Sequence, residues 1–138
     1  MAADGGAHVF PLRVYFEDTD AGGIVYYANY LRFAERARTE MLRSAGIESS
    51  ALMARDGVAF AVRECRMDFR RPARLDDAIQ VETRITAVAG ASLRLDQRVR
   101  RQSEPLVDIQ VRLACMGSDG KPKRLPARVA DAVREIAR

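Results

Sequence analysis

RVYFEDTDAGGIVYYANYLRFAERARTEML, residues 13–42, changes its hydrophobic period once, and the change decides the fold. Leading into it, residues 9–16 set Leu12, Val14 and Phe16 against Arg13 and Tyr15, the period of two expected from a half-buried strand. From Tyr30 the period turns helical. Tyr30, Phe33, Ala34, Ala37, Met41 and Ala45 share one face, and Arg32, Glu35, Arg36, Arg38, Glu40 and Arg43 occupy the other. Asn29 is placed to cap this helix, Gly46 suits the left-handed position past its end, and Arg36 and Glu40 pair four apart on the wet face. Between strand and helix lies EDTDAGG, residues 17–23, rich in residues that favour turns and positive φ. That loop is where the chemistry is expected.

Beyond a connecting stretch through Gly57, four alternating runs follow at residues 60–69, 79–87, 93–99 and 107–115. The second of them is the clearest, with Ile79, Val81, Thr83 and Ile85 opposed to Gln80, Glu82, Arg84 and Thr86. Pro72 closes the run at 60–69, and Ala89-Gly90, residues 102–105 and residues 117–122 supply turn chemistry, so neighbouring runs are expected to pair antiparallel. Val129, Ala132, Val133 and Ile136 after Pro126 predict a short terminal helix. The fold class is therefore α+β: a five-stranded antiparallel sheet, one long helix against it and a short C-terminal helix. One helix covers only part of such a sheet and leaves its edges open, which favours pairing with a second copy.

A chain of 138 residues with 48% apolar composition suits a single domain over 1–138, with residues 1–8 read as a loose tail. Charged residues make up 30%, and no apolar run approaches the roughly 18 to 20 residues of a membrane span. The opening MAADGGAHVF lacks the basic start and apolar stretch of a secretory signal, so a cytoplasmic location is expected. Cys65 and Cys115 lie in alternating segments and read as two buried thiols; without further cysteine or histidine partners they make no metal site. The single histidine, His8, falls in the tail, which leaves a Ser-His-Asp or Cys-His scheme without its base. No P-loop and no GxGxxG turn is present, so no cofactor is expected. A net charge of +4 suits a polyanion, yet aromatic residues are only 7% and bases alternate with acids, which argues against nucleic acid.

On its own the DxD of the loop carries little, because loop aspartates often do no more than bind turn amides. In its longer setting, residues 13–42, with RPARLDD at 71–77 and the alternating strands after it, the chain resembles the 4-hydroxybenzoyl-CoA thioesterase-like hotdog family. Its closest likeness there is to the acyl-CoA thioesterases associated with the Tol-Pal envelope system. The resemblance implies the hotdog fold, with the sheet wrapped around the long helix, and hydrolysis of an acyl-CoA to a carboxylic acid and free coenzyme A. It makes Asp20 the catalytic carboxylate and sets the thioester carbonyl near the backbone amide of Tyr27; Asp18 keeps its structural reading. Relatives in one subgroup carry histidine where Tyr27 stands, whereas the hydroxybenzoyl type matches it, so no side-chain acid is assigned there.

One carboxylate is chemically sufficient, since a thiolate leaves with a pKa near 8.5, far below that of an alcohol. An ionised Asp20 can attack the carbonyl to form an acyl anhydride, or it can deprotonate water. Both routes stay open. Gly22 and Gly23 let the backbone turn closely into the helix, whose free amides suit a developing oxyanion. Gly23 and Val25 are assigned to the substrate with Phe60 and Ala61, which the resemblance sets beside Tyr27 as the acyl slot. For the phosphates of coenzyme A the densest basic group is Arg63, Arg66, Arg70, Arg71 and Arg74, of which Arg63 and Arg70 are chosen. The turn at residues 88–91 carries no charge, so no nucleotide contact is assigned to it. The resemblance also implies a homo-oligomer, a dimer formed through the sheet and then a tetramer, with acyl-CoA bound where subunits meet. Acyl carrier protein is an alternative donor, and a non-catalytic module binding acyl-CoA or that carrier is the alternative function.

Overall fold

The computed structural model describes residues 3, 4 and 6–138. In chain order these form β1 (Ala3–Asp4), β2 (Ala7–Arg13), α1 (Asn29–Ser44), α2 (Ser49–Asp56), β3 (Val58–Phe69), β4 (Ala78–Val88), β5 (Ser92–Arg101), β6 (Glu104–Gly117) and α3 (Ala127–Ala137). Five long strands and the two-residue β1 make one antiparallel sheet in the order β1-β2-β4-β5-β6-β3.

Alternation explains the sheet's two faces. Ile79, Val81, Thr83 and Ile85 of β4, Leu93, Leu95, Gln97 and Val99 of β5, and Val107, Ile109, Val111, Leu113 and Cys115 of β6 are all buried. The side chains between them, such as Arg84, Arg94, Asp96, Arg98 and Gln110, are polar and lie on the other face. Tyr30, Phe33, Ala34, Ala37, Met41 and Leu42 press the apolar stripe of α1 onto this core. Burying one such large side chain stabilises the fold by roughly 1.5–3 kcal/mol. Removing a single methyl costs less. Ile79→Val, at a fully buried position, is expected to lower unfolding stability by about 1 kcal/mol in a urea titration.

α1 packs mainly over β2, β4 and β5; β3 meets α2 and the Tyr30 ring of α1 but stays partly open. In register with the buried residues of β6, the same face of β3 carries Phe60, Val62, Cys65, Met67 and Phe69. Val62 is 51% exposed and Phe69 49%. β3 is thus a long border strand with an apolar, half-open inner face. The far border differs, because β1 pairs with part of β2 and β2 itself contains Pro11, which has no N–H to offer. Among the described residues, no helix is long and apolar enough to cross a membrane.

Several expectations need correction. The first strand stops at Arg13 rather than 16, and Phe16 starts a 3-10 turn with its ring 82% exposed. The tail expected over 1–8 is strand at Ala3–Asp4 and from Ala7 on, with Ala7 and His8 buried; residues 1, 2 and 5 lie outside the described set. Burial holds the His8 imidazole below its ordinary pKa. The stretch before Gly57 contains α2, too short to show a helical period, although Gly57 closes it in the left-handed conformation. Asn29 does not cap α1, whose N-cap is Ala28; its side-chain amide donates to Asp18 O at 2.9 Å. Glu40 pairs with Arg43. Cys65 is exposed and only Cys115 is buried.

Candidate active site

The loop between β2 and α1 is fixed largely by its own polar groups. Asp18 accepts the Tyr15 N–H at 2.8 Å through its carboxylate and the Tyr26 N–H at 2.9 Å through its carbonyl, so this aspartate is structural. Thr19 and Val25 form an antiparallel bridge, closed further in by Asp20 N–H donating to Ile24 O at 2.9 Å. At the tip, Asp20 Oδ1 accepts the Gly22 N–H at 2.8 Å. A side chain on Gly22 would meet that oxygen at 3.3 Å, and Gly23 sits at φ +77°, so each glycine answers a specific demand of the turn. Asp20 Oδ2 receives no hydrogen bond among the described residues. It is an exposed carboxylate oxygen on a rigid turn.

The same loop leads into α1 through Tyr26, Tyr27 and Ala28. Asn29, Tyr30 and Leu31 donate back to Tyr26, Tyr27 and Ala28 carbonyls, whereas the Tyr27 and Ala28 amides find no acceptor among the described residues. Such orphan amides, at the positive end of a helix of 16 residues, are suited to an oxygen that gains negative charge. Tyr27 also lines a cleft of about 290 Å³ with Ile24, Val25, Tyr30, Phe69, Arg70, Arg71 and Pro72, whereas Ala28 and the exposed Asp20 are not among its lining residues. Aromatic rings form its wall: Tyr27 meets Phe69 edge-on at 6.2 Å, and Tyr30 stands 5.9 Å from Phe69. The Tyr27 side chain is 61% exposed, so its backbone rather than its hydroxyl is the fixed group. Burial pushes the Tyr30 phenol above its ordinary pKa, and its oxygen accepts the Ala73 N–H at 3.0 Å.

Of the residues read from the sequence, Asp20, Gly23, Val25 and Tyr27 share this loop, and Val25, Tyr27 and Arg70 line its cleft. Arg70 is already engaged: with Arg98 it clasps Asp108, at 2.6 Å and 2.7 Å, and the Arg98 hydrogen bond first and Arg70's after it hold that carboxyl below its usual range. Arg71 pairs with Glu104. Arg63, Arg66 and Arg74 are exposed and have no carboxylate partner among the described residues; Arg63 sits at the β-bulge between Val62 and Glu64. Phe60 and Ala61 do not join Tyr27 within one chain. Nine residues of strand separate Phe60 from Phe69, about 30 Å at 3.3 Å per residue. Phe60 lines a second cleft, about 270 Å³, with Leu42, Val62, Leu113 and the buried Arg38.

The sequence reading missed Phe69, Ile24 and Pro72 as lining residues. Phe69 ends a run read only as strand, and it reaches the loop through the sheet register, a long-range fact that local pattern does not carry.

Residues 14–133 match the thioesterase-like superfamily. The chain is similar to the acyl-CoA thioester hydrolase YbgC of Escherichia coli, with 45% identity over 122 residues that cover 87% of this chain and 90% of that one. It is 41% identical over 128 residues to the acyl-CoA thioesterase YbgC of Haemophilus influenzae, covering 92% and 94% of the two chains. Among solved structures, a probable thioesterase from Bartonella henselae superposes with a TM-score of 0.84 at 39% identity, over 87% of this chain and 99% of that one.

Proposed function

Because this chain belongs to the thioesterase-like superfamily, we propose that it hydrolyses acyl-CoA thioesters, with the Asp20 carboxylate acting on the carbonyl carbon or on the attacking water and the Tyr27 amide holding the oxyanion. The observation that carries the reading is one of complementary vacancies: an undonated Asp20 Oδ2 and unaccepted Tyr27 and Ala28 amides on one loop, whose Ile24, Val25 and Tyr27 line a cleft. As the tetrahedral oxygen charges, the amides stabilise it without reorganising, and collapse releases the thiolate of coenzyme A. If Asp20 was the nucleophile, water then opens the acyl anhydride to free the acid and the carboxylate; if Asp20 deprotonated an attacking water, the same collapse yields the acid directly. No cofactor takes part in either route.

This role of Tyr27 predicts an insensitive side chain. Tyr27→Phe keeps the amide and the ring, and its kcat on acyl-CoA is expected to stay within about twofold of the parent. A much larger loss would move the role from the amide to the hydroxyl.

The reading requires a second copy. A bare border strand invites an antiparallel partner, and two β3 strands related by a two-fold axis through their middle run in opposite directions. The Phe60 end of one copy then lies against the Phe69 end of the other, so the second copy's cleft at Phe60 adjoins the Tyr27 cleft, while Ala61, the next residue along the strand, is not among that cleft's lining residues. The acyl group occupies that shared slot. We assign the dimer, and a tetramer built from it, a cytoplasmic location and a link to the Tol-Pal envelope system. The thiol donor is taken to be coenzyme A, with acyl carrier protein as the competing donor; rates on matched acyl-CoA and acyl-carrier substrates separate them.

A further inference from the structure

The RPARLDD segment, residues 71–77, lends Arg71 and Pro72 to the cleft, and its remaining residues hold the loop that carries Asp20. Val25 N–H donates to Ala73 O at 2.9 Å, Leu75 N–H donates to Gly23 O at 3.1 Å, and Ile24 bridges Arg74 in antiparallel fashion. On its other side the segment grips the end of the first strand, with Val14 N–H donating to Asp77 O at 2.9 Å and Asp76 N–H to Val14 O at 3.0 Å. Asp76 holds φ +69°, a conformation that aspartate tolerates when local hydrogen bonds support it, and the Arg13 guanidinium donates to its carbonyl at 2.8 Å. A short two-stranded ribbon, residues 23–25 against 73–75, thus carries the tip of the catalytic loop.

One side chain organises the ribbon. Asp77 Oδ2 accepts the Arg74 N–H at 2.8 Å, which closes the turn, and also the Nη1 of Arg101. Arg101 extends from the last position of β5, and its other terminal nitrogen donates to Glu104 Oε1 at 2.7 Å at the start of β6. β5 and β6 form a long paired hairpin and both lie inside the sheet, so the bridge ties the loop to an element anchored on both sides. Arg101 and Asp77 side chains are 28% and 22% exposed, which makes the pair part-buried rather than a solvated contact.

We propose that Asp77, braced by Arg101, is a positioning residue for the reaction: it fixes the ribbon at Ala73 and Leu75 and so aims the Asp20 carboxylate and the Tyr27 amide. The inference rests on the reading of Asp20 and Tyr27 above. A loop freed to shift by about 1 Å can lose up to a hundredfold in rate while its binding surfaces persist.

The test is Asp77→Asn in the full-length protein, assayed on an acyl-CoA, with free coenzyme A as the binding probe. The expected result is a kcat lowered about 10- to 100-fold, with KM and the Kd for coenzyme A within about twofold. Amide exchange at Val25 and Leu75 is expected to rise about tenfold or more while the core of α1 is unchanged. Arg101→Lys keeps a cation but offers one nitrogen in place of the two that reach Asp77 and Glu104 separately, so it is expected to show the same pattern more mildly; it carries the test if Asp77→Asn does not fold. A wild-type kcat in a variant whose ribbon exchanges faster overturns the proposal, as does a lowered kcat with exchange unchanged. Asp20→Asn run alongside separates the two ideas. Loss of turnover there with normal kcat in Asp77→Asn overturns the brace alone, whereas full turnover in Asp20→Asn overturns the carboxylate role on which the brace depends.

Discussion

Asp20→Asn is expected to lower acyl-CoA hydrolysis by roughly a thousandfold while the protein stays folded and still binds coenzyme A. The substitution is nearly isosteric. Its amide oxygen can go on accepting the Gly22 N–H, so the turn that Asp20 Oδ1 now closes at 2.8 Å is retained. What disappears is the charged oxygen without a donor, which neither attacks a carbonyl nor takes a proton once it is an amide nitrogen. The measurement is thiol release from a panel of aliphatic and aromatic acyl-CoAs, with melting temperature and circular dichroism recorded for both proteins. Near-parental turnover in the folded variant sinks the assignment. Absence of turnover by the parent on every substrate favours the non-catalytic binding module instead.

Phe60→Asp is the second variant expected to abolish activity, because it sets a carboxylate in the apolar slot. Its value lies in a mixture. If each site takes Asp20 from one copy and Phe60 from the other, a hybrid of Asp20→Asn and Phe60→Asp chains contains one site with both native residues and one with neither. Random re-association makes about half of all dimers hybrids, so mixing two dead proteins after unfolding and refolding is expected to restore about a quarter of parental activity. If Phe60 served the Asp20 loop of its own chain, the mixture would stay inactive. Light scattering on each protein checks that dimers persist, and a monomeric parent would sink the shared site outright. The roughly 30 Å of β3 between Phe60 and Phe69 leaves no third arrangement within one chain.

Where pattern is local and repeated, the residues disclosed the fold. Ile79, Val81, Thr83 and Ile85 alternate across β4 and are all buried, and Tyr30 to Leu42 keep helical spacing over more than three turns of α1. Short or non-repeating elements stayed hidden. α2 has eight residues, two turns, too few to separate a helical period from chance. Phe16 continues the alternation of β2 by spacing, yet the Asp18 carboxylate recruits the Tyr15 N–H and bends the chain away before the ring reaches the core. His8 looked like tail because nothing nearby in the chain covers it; β4 does, from about seventy residues on, through the pairing of His8 with Thr83. The site shows the same division. The contiguous loop with Asp20, Gly23, Val25 and Tyr27 was legible, whereas Phe69 enters the cleft only through sheet register, and Arg70 proved bound to Asp108.

The two borders of the sheet are chemically unlike, and this sets how far such a ribbon can grow. At one margin β1 and Pro11 interrupt the row of groups that a newcomer would have to pair with. The opposite margin, β3, offers a length of twelve residues broken only by the bulge at Arg63. Addition is therefore possible in one direction only, and a head-to-head union consumes the single receptive rim on each molecule. Growth terminates at that point, so a protein with a sticky apolar border is kept from polymerising into fibres by the bluntness of the border it does not use.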